Sequence, residues 1–245
     1  MEDTYCVTRQ VAGHHNLFCV FDGHGGKDVA DLCAEHIPKV LTEEIRKHFD
    51  IPVAIRSTFH LLDDMAKVDG PMTAGCTAAI ALSDGNRLWF ANCGDAMSMV
   101  SWKSSEGGVG SFVSQDHKVE HEAERIRAAG GSITYDDGCA RINRMLNIAR
   151  SIGDHHLKRY VIANPYITSV HMDKIKYVLI ASDGLWDVYK PVDVEEEIDM
   201  IVSECKKNGL EVRQTIDTVT RRIVENAFRR GSTDNITVIY LMPNV

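Results

Sequence analysis

The sequence predicts an α+β layered domain built on antiparallel sheets. Three observations carry this. Residues 77–92 form a hairpin pattern: a small apolar run at 77–82, the turn Ser83-Asp84-Gly85-Asn86, and a second strand at 87–92. Long segments of helical period lie on both sides of it. Strands and helices do not alternate regularly, which argues against a parallel βαβ sheet.

The chain opens on a strand at 4–11 that includes Tyr5 and Val7. His14-His15-Asn16 reads as an exposed turn into a buried strand at 17–21. That strand stops on Asp22-Gly23-His24-Gly25-Gly26, a carboxylate and an imidazole among glycines. A strand end is a rigid mount for an acidic side chain, and glycine lets backbone approach whatever that side chain holds. From Lys27 onward, Val29, Leu32, Cys33, Ile37, Val40, Leu41 and Ile45 make one helical face, and Pro38 within it predicts a kink or break. Ile55, Phe59, Leu62 and Met65 mark a second helix over 52–68.

Beyond the hairpin, 97–102 is a third strand, 104–110 a flexible loop, and 118–129 a short helix stopped by Gly130-Gly131. Residues 132–175 show no readable period. The run 177–181 is an unbroken apolar strand ending on Ser182-Asp183-Gly184, a second strand–carboxylate–glycine junction. Helices follow at 191–206 and 210–228. The latter carries Val212, Ile216, Val219, Ile223 and Ala227 in one stripe, with Arg221-Arg222 and Arg229-Arg230 on its solvated side. A turn at 231–235 leads to a closing strand at 236–241. No repeat, low-complexity tract or Pro/Ser-rich linker divides the chain, which predicts one domain over 1–245.

With 44% hydrophobic and 25% charged residues, the 245-residue chain can bury a sizeable core. A net charge of −8 argues against nucleic acid as a partner. An acidic protein that handles an anionic substrate must supply positive charge locally, and bound metal is one way. Seven cysteines without a CxxC pair fit a reducing, intracellular setting, cytoplasmic or nuclear, and no zinc–thiolate site. No apolar run approaches the roughly 18 residues of a membrane span. The acidic start Met1-Glu2-Asp3 is not a signal peptide, and Glu2 breaks the myristoylation pattern. No membrane partner and a monomeric state are expected.

Four acidic residues share a setting. Asp22, Asp95 and Asp183 follow strands and stand beside glycines, and Asp234 precedes the final strand next to Asn235. Carboxylates converging at one sheet edge repel one another unless a cation holds them. Oxygen donors without a Cys or His cluster select hard cations, Mg²⁺ or Mn²⁺. Two such ions about 3.5–4 Å apart clamp an in-line displacement. The bland alternative is a scatter of surface Asp.

A set of ordered segments then carries a resemblance. They are Met1-Glu2-Asp3, Val20-Phe21-Asp22-Gly23-His24-Gly25-Gly26, Gly75-Cys76-Thr77-Ala78, Ala91-Asn92-Cys93-Gly94-Asp95 and Asp116-His117-Lys118. Further on come Arg125-Ile126 with Ala129-Gly130-Gly131, Ala149-Arg150-Ser151-Ile152-Gly153-Asp154, Ala181-Ser182-Asp183-Gly184-Leu185-Trp186-Asp187-Val188, and Gly231-Ser232-Thr233-Asp234-Asn235-Ile236-Thr237-Val238. Over nearly the whole chain the sequence resembles the metal-dependent type 2C (PPM-type) family of protein serine/threonine phosphatases.

The resemblance implies a four-layer α-β-β-α sandwich, two antiparallel sheets flanked by helices. It implies two Mg²⁺ or Mn²⁺ ions at one edge, and the third, weaker site that some members of the family have. Asp22 would bridge the two ions. The Gly23 carbonyl, Glu2 and Asp3 would serve one, and Asp183 and Asp234 the other. Asp95, with Asp183, would contribute to the third. His24 would be the general acid for the leaving serine or threonine oxygen, a role that suits an imidazole near neutral pH. Thr77 and Asn235 would stand behind the ligands. Metal-activated water would attack phosphorus directly, without a phosphoenzyme, and the partners would be phosphoproteins.

The sequence also departs from the family pattern. The family's phosphate-binding Arg belongs three residues before the position of Met1, and the family's first strand lies upstream as well. Ala96-Met97 stand where Ser-Arg is usual, Cys76 replaces a Ser, Arg144 a Gly, and Asn147 and Ala149 an apolar residue and a Ser. These substitutions keep open the alternative of a weak or inactive pseudophosphatase acting as a binding module. Other motifs are poorer fits. His117-Lys118-Val119-Glu120-His121 matches the HxxEH zinc pattern, with a solvated helix start as its plain reading. Gly153-Asp154-His155-His156 partly matches the GDxHG of another metallophosphatase superfamily, whose later GNHE-like motif is missing. No Cys is followed six positions later by Arg, and there is no P-loop. Trp186 reads as core packing.

Overall fold

The computed structural model describes residues 1–103, 109–136 and 138–243. Strand β1 (Thr4–Val11) turns back into β2 (His15–Phe21), which ends one residue before Asp22. The two-residue β3 (Gly23–His24) leads into helix α1 (Asp28–His48) and then α2 (Ile51–Asp69), capped by the Asp50 side chain, which accepts from Val53 N at 3.1 Å. There follow β4 (Gly75–Cys76), β5 (Ala78–Ser83), β6 (Arg87–Cys93), β7 (Met97–Lys103), β8 (Val109–Val113), the short helix α3 (Ala123–Ala128), β9 (Ile133–Asp136) and β10 (Cys139–Ile142). The chain closes with β11 (Ile152–Gly153), β12 (Tyr166–His171), β13 (Ile175–Ala181), the one-turn α4 (Asp183–Trp186), α5 (Pro191–Lys207), α6 (Val212–Arg229) and β14 (Val238–Leu241).

One sheet runs β1-β2-β5-β6-β12 and the other β14-β13-β7-β8, with all neighbours antiparallel. The period-2 alternation of the central strands sorts the layers. In β2, Leu17, Cys19 and Phe21 pack under α1 and α2, while Val20 faces the second sheet. In β13, Val178 and Ile180 meet Val20, Ala79, Ala81 and Phe90 between the sheets. Tyr177, Leu179 and Ala181 turn the other way, onto Val194, Ile198, Val219 and Ile223 of α5 and α6. The result is the expected four-layer α-β-β-α sandwich. A third, very short sheet, β11-β4-β3, and a hairpin of β9 and β10 lie at one end.

Several expectations are corrected. Helix α1 runs unbroken through Pro38. A proline removes a single backbone donor, and buried Val29, Cys33, Ile37, Leu41 and Ile45 hold the helix on both sides of it. The segment expected as a helix at 118–129 is a 3-10 turn over Val119–Glu122 followed by α3. Of the expected loop at 104–110, residues 104–108 lie outside the described residues, and Val109 already begins β8. His15 is buried in β2, not exposed in a turn, with Nδ1 3.3 Å from the Val11 carbonyl. Arg230 is exposed as expected, and its guanidinium also lies 3.9 Å from the centre of the Tyr189 ring and 3.5 Å from Glu197.

Candidate active site

Four strand ends and one small sheet build the site. Asp22 sits where β2 gives way to β3, and its carbonyl accepts from Thr77 N at 2.8 Å. Gly23 and His24 pair in register with Cys76 and Gly75 of β4, which pair in turn with Ile152 and Gly153 of β11. Asp95 follows β6 on the Gly94 turn. His117 fixes that turn, its backbone N donating to the Gly94 carbonyl at 3.0 Å and its Nδ1 lying 3.2 Å from Gly94 N. Asp183 opens α4 directly after β13, and Asp234 lies in the turn before β14.

The ends of the chain close against each other here. The Glu2 backbone donates to Asn235 Oδ1 at 2.8 Å, and Gly23 N donates to the Glu2 carbonyl at 3.3 Å. The Ser182 hydroxyl donates to Asp3 Oδ2 at 2.9 Å. A Cβ built on Gly184 would lie 2.0 Å from the Asn235 carbonyl oxygen, so glycine is what lets the Asp183 and Asp234 segments approach.

These residues share one cavity of about 300 Å³. Glu2, Asp22, Gly23, His24, Thr77, Asp95, Asp183, Asp234 and Asn235 all line it. Asp3 is not among its lining residues and stands behind it on Ser182. His24 is the imidazole of the rim, its Nε2 2.7 Å from Asp154 Oδ2.

The sequence pattern of the Protein phosphatase 2C family matches residues 1–236. The chain belongs to this family. A rice protein named probable protein phosphatase 2C 7 is 34% identical over 251 residues, covering 98% of this chain and 61% of the relative. This phosphatase 2C chain thus spans about three-fifths of that relative's length. In fold it is similar to a C. elegans sex-determining protein, with a TM-score of 0.82 at 24% identity over 98% of this chain and 60% of the other. A serine-threonine phosphatase 2C from Toxoplasma gondii gives 0.76 at 20% identity over 98% and 90%.

The phosphatase 2C family is metal-dependent, and the donor set here fits a hard cation. Asp183 Oδ1 and Thr77 Oγ1 are buried with no hydrogen-bond partner. Among the described residues, the cavity lining holds no Lys or Arg against its five carboxylates. Burial foremost, then the charges of Asp183 and Asp3, push the Asp22 carboxyl far above the usual range. Burial and then Asp183 push Asp95 up to about 7. Asp183 is raised by burial and by Asp187, Asp234 and Asp3. Among the described residues, though, no three His, Cys, Asp or Glu side chains stand together as a ready cation cage.

Sequence reasoning missed four parts of this phosphatase 2C site. Leu146, Asn147 and Ile148 complete the cavity wall from the stretch with no readable period. They are held there by Val119 N on the Asn147 carbonyl at 3.3 Å and by Ala149 N on the His117 carbonyl at 2.7 Å. Asp154, matched only as part of a motif, is the partner of His24. The HxxEH pattern dissolves. His117 is buried against Gly94, neither solvated nor beside His121, which pairs with Asp116 at 2.7 Å.

Proposed function

We propose that this chain hydrolyses phosphoserine and phosphothreonine on proteins, using two Mg²⁺ or Mn²⁺ ions. One observation carries the reading: Asp22, Asp95, Asp183 and Asp234, from four distant parts of the sequence, line one cavity with His24 at its rim. Asp22, the Gly23 carbonyl and Glu2 would hold one ion, with Asp3 serving it through water from behind. Asp22, Asp183 and Asp234 would hold the other, with Asp95 toward a weaker third. Bound there, the ions would neutralise phosphate charge and make water nucleophilic near neutral pH.

The chain's own residues do the rest. The carboxylates on rigid strand ends would set the phosphate's place only through the cations they hold, since among the described residues the lining offers an anion no cationic side chain. Leu146 and Ile148 wall the cavity with apolar surface on one side. His24 gives its proton to the departing hydroxyl oxygen. Phosphoproteins are the substrates.

The test is hydrolysis of a phosphoserine peptide with and without Mn²⁺. Activity that requires Mn²⁺, stops in EDTA and falls at least about 100-fold in Asp183→Asn supports the reading. Activity that persists in EDTA would sink it. No turnover, with no Mn²⁺ binding by calorimetry, would favour the pseudophosphatase instead.

A further inference from the structure

We propose that Asp154 is the positioning residue for His24, holding the ring by Nε2 so that Nδ1 delivers the proton to the leaving oxygen. This rests on the phosphatase reading above, in which His24 is the proton donor. The pair joins residues 130 positions apart at 2.7 Å. Asp154 is 1% exposed, whereas 27% of the His24 side chain faces solvent at the cavity rim. A carboxylate buried so completely needs donors. It receives two on the same oxygen, the His24 ring and the Ser151 hydroxyl.

The backbone is arranged for this contact. His24, Gly75 and Gly153 stand side by side across the β3-β4-β11 ribbon. A Cβ on Gly75 would lie 2.2 Å from Asp154 Oδ2 and 2.8 Å from His24 Nε2, so only glycine leaves the gap that the pair crosses. Behind the pair, Asp63 of α2 accepts from Gly153 N at 2.8 Å and from Lys158 Nζ at 2.8 Å, and Lys158 also reaches the Ser151 carbonyl at 3.2 Å. The carboxylate is anchored to a helix and not left on a free loop.

A carboxylate that accepts Nε2–H fixes the tautomer and the plane of the ring. When the phosphoserine P–O bond breaks, its electron pair stays on the serine oxygen. The Nδ1 proton moves to that oxygen, and the ring is left neutral with Nε2–H still on Asp154. The attacking water supplies the new bond to phosphorus, and the ring afterwards regains its Nδ1 proton from solvent.

The test compares two leaving groups, because a serine alkoxide needs that proton and p-nitrophenolate does not. With Mn²⁺ present, Asp154→Asn should lose about 10–100-fold in kcat on a phosphoserine peptide and less than about threefold on p-nitrophenyl phosphate. The double variant His24→Ala/Asp154→Asn should be no slower than His24→Ala. In metal-free protein, ¹⁵N-histidine NMR should show a slowly exchanging Nε2–H on His24 that Asp154→Asn abolishes. Equal losses on both substrates, additive losses in the double variant, or a wild-type His24 protonated on Nδ1 alone would each overturn the proposal. If Asp154→Asn does not fold, Ser151→Ala decides, with a severalfold loss confined to the peptide expected and no such split overturning. An inactive wild type would sink the phosphatase reading along with this one, whereas an active wild type with unsplit losses sinks this one alone.

Discussion

Gly75 and Asp154 leave no room for a methyl group between them, a Cβ at position 75 falling 2.2 Å from Asp154 Oδ2. Gly75→Ala must therefore displace the His24–Asp154 pair. The expected outcome is at least a tenfold drop in turnover of a phosphoserine peptide, of the order general acid–base groups contribute. Calorimetric Mn²⁺ affinity should change little, because Asp22, Asp183 and Asp234 lie off this contact.

Gly184→Ala separates different residues. Its methyl would meet the Asn235 carbonyl oxygen at 2.0 Å, and backbone cannot swing aside as a side chain can. Overpacking of this kind costs about 1–3 kcal/mol. The expected result is a lower melting temperature together with weaker Mn²⁺ binding, since the Asp183 and Asp234 segments are forced apart. Unchanged binding would show that the two carboxylates do not act on the same ion.

Asp95 gives a pH prediction in the chelated protein. Burial and then Asp183 raise its carboxyl from an ordinary 3.8 to about 7. The folded state therefore holds a proton that the unfolded chain has released, between about pH 4 and 7. That contribution is complete below the lower value and is lost as pH rises through about 7. In EDTA, Asp95→Asn should therefore gain on the wild type as pH goes from 5 to 8. The gain in melting temperature should be a few degrees, what about 1–2 kcal/mol gives at this chain length. A difference that is flat in pH would contradict it.

Phe90 tests the layer between the sheets. It is 1% exposed and packs with Val20, Ala81, Val100 and Val178. Phe90→Ala should cost about 3–5 kcal/mol by denaturant unfolding. Mn²⁺ binding in the fraction that remains folded should be unaffected.

The layers were legible because unbroken apolar runs such as 17–21 and 177–181 have the length of buried strands and end on turn residues. Asp22 and Asp183 were legible because each interrupts such a run. Pro38 misled because a local rule about one donor was outweighed by the packing of Ile37 and Leu41, which the rule does not weigh. Strand β8 hid behind Gly107, Gly108 and Gly110, where Gly110 serves close packing, its Cβ position lying 2.5 Å from Trp102 Nε1. The stretch 132–175 hid because its elements are short and answer to distant partners. Ile152 and Gly153 are a strand only because Cys76 and Gly75 lie opposite them. Nothing within that stretch records the pairing, and so Asp154 carried no visible role.

The β3-β4-β11 ribbon has a consequence in time as well as space. Each of its strands is two residues long, too short to hold together alone. Its members come from positions near 24, 75 and 152, so it depends on the larger sheets to hold β2 and β5 in place and on α2 to offer Asp63. The contact between His24 and Asp154 thus rests on a ribbon with few bonds of its own. Hydrogen exchange at Gly153 N should be faster than at Leu179 N in the centre of β13, marking this corner as the first to open.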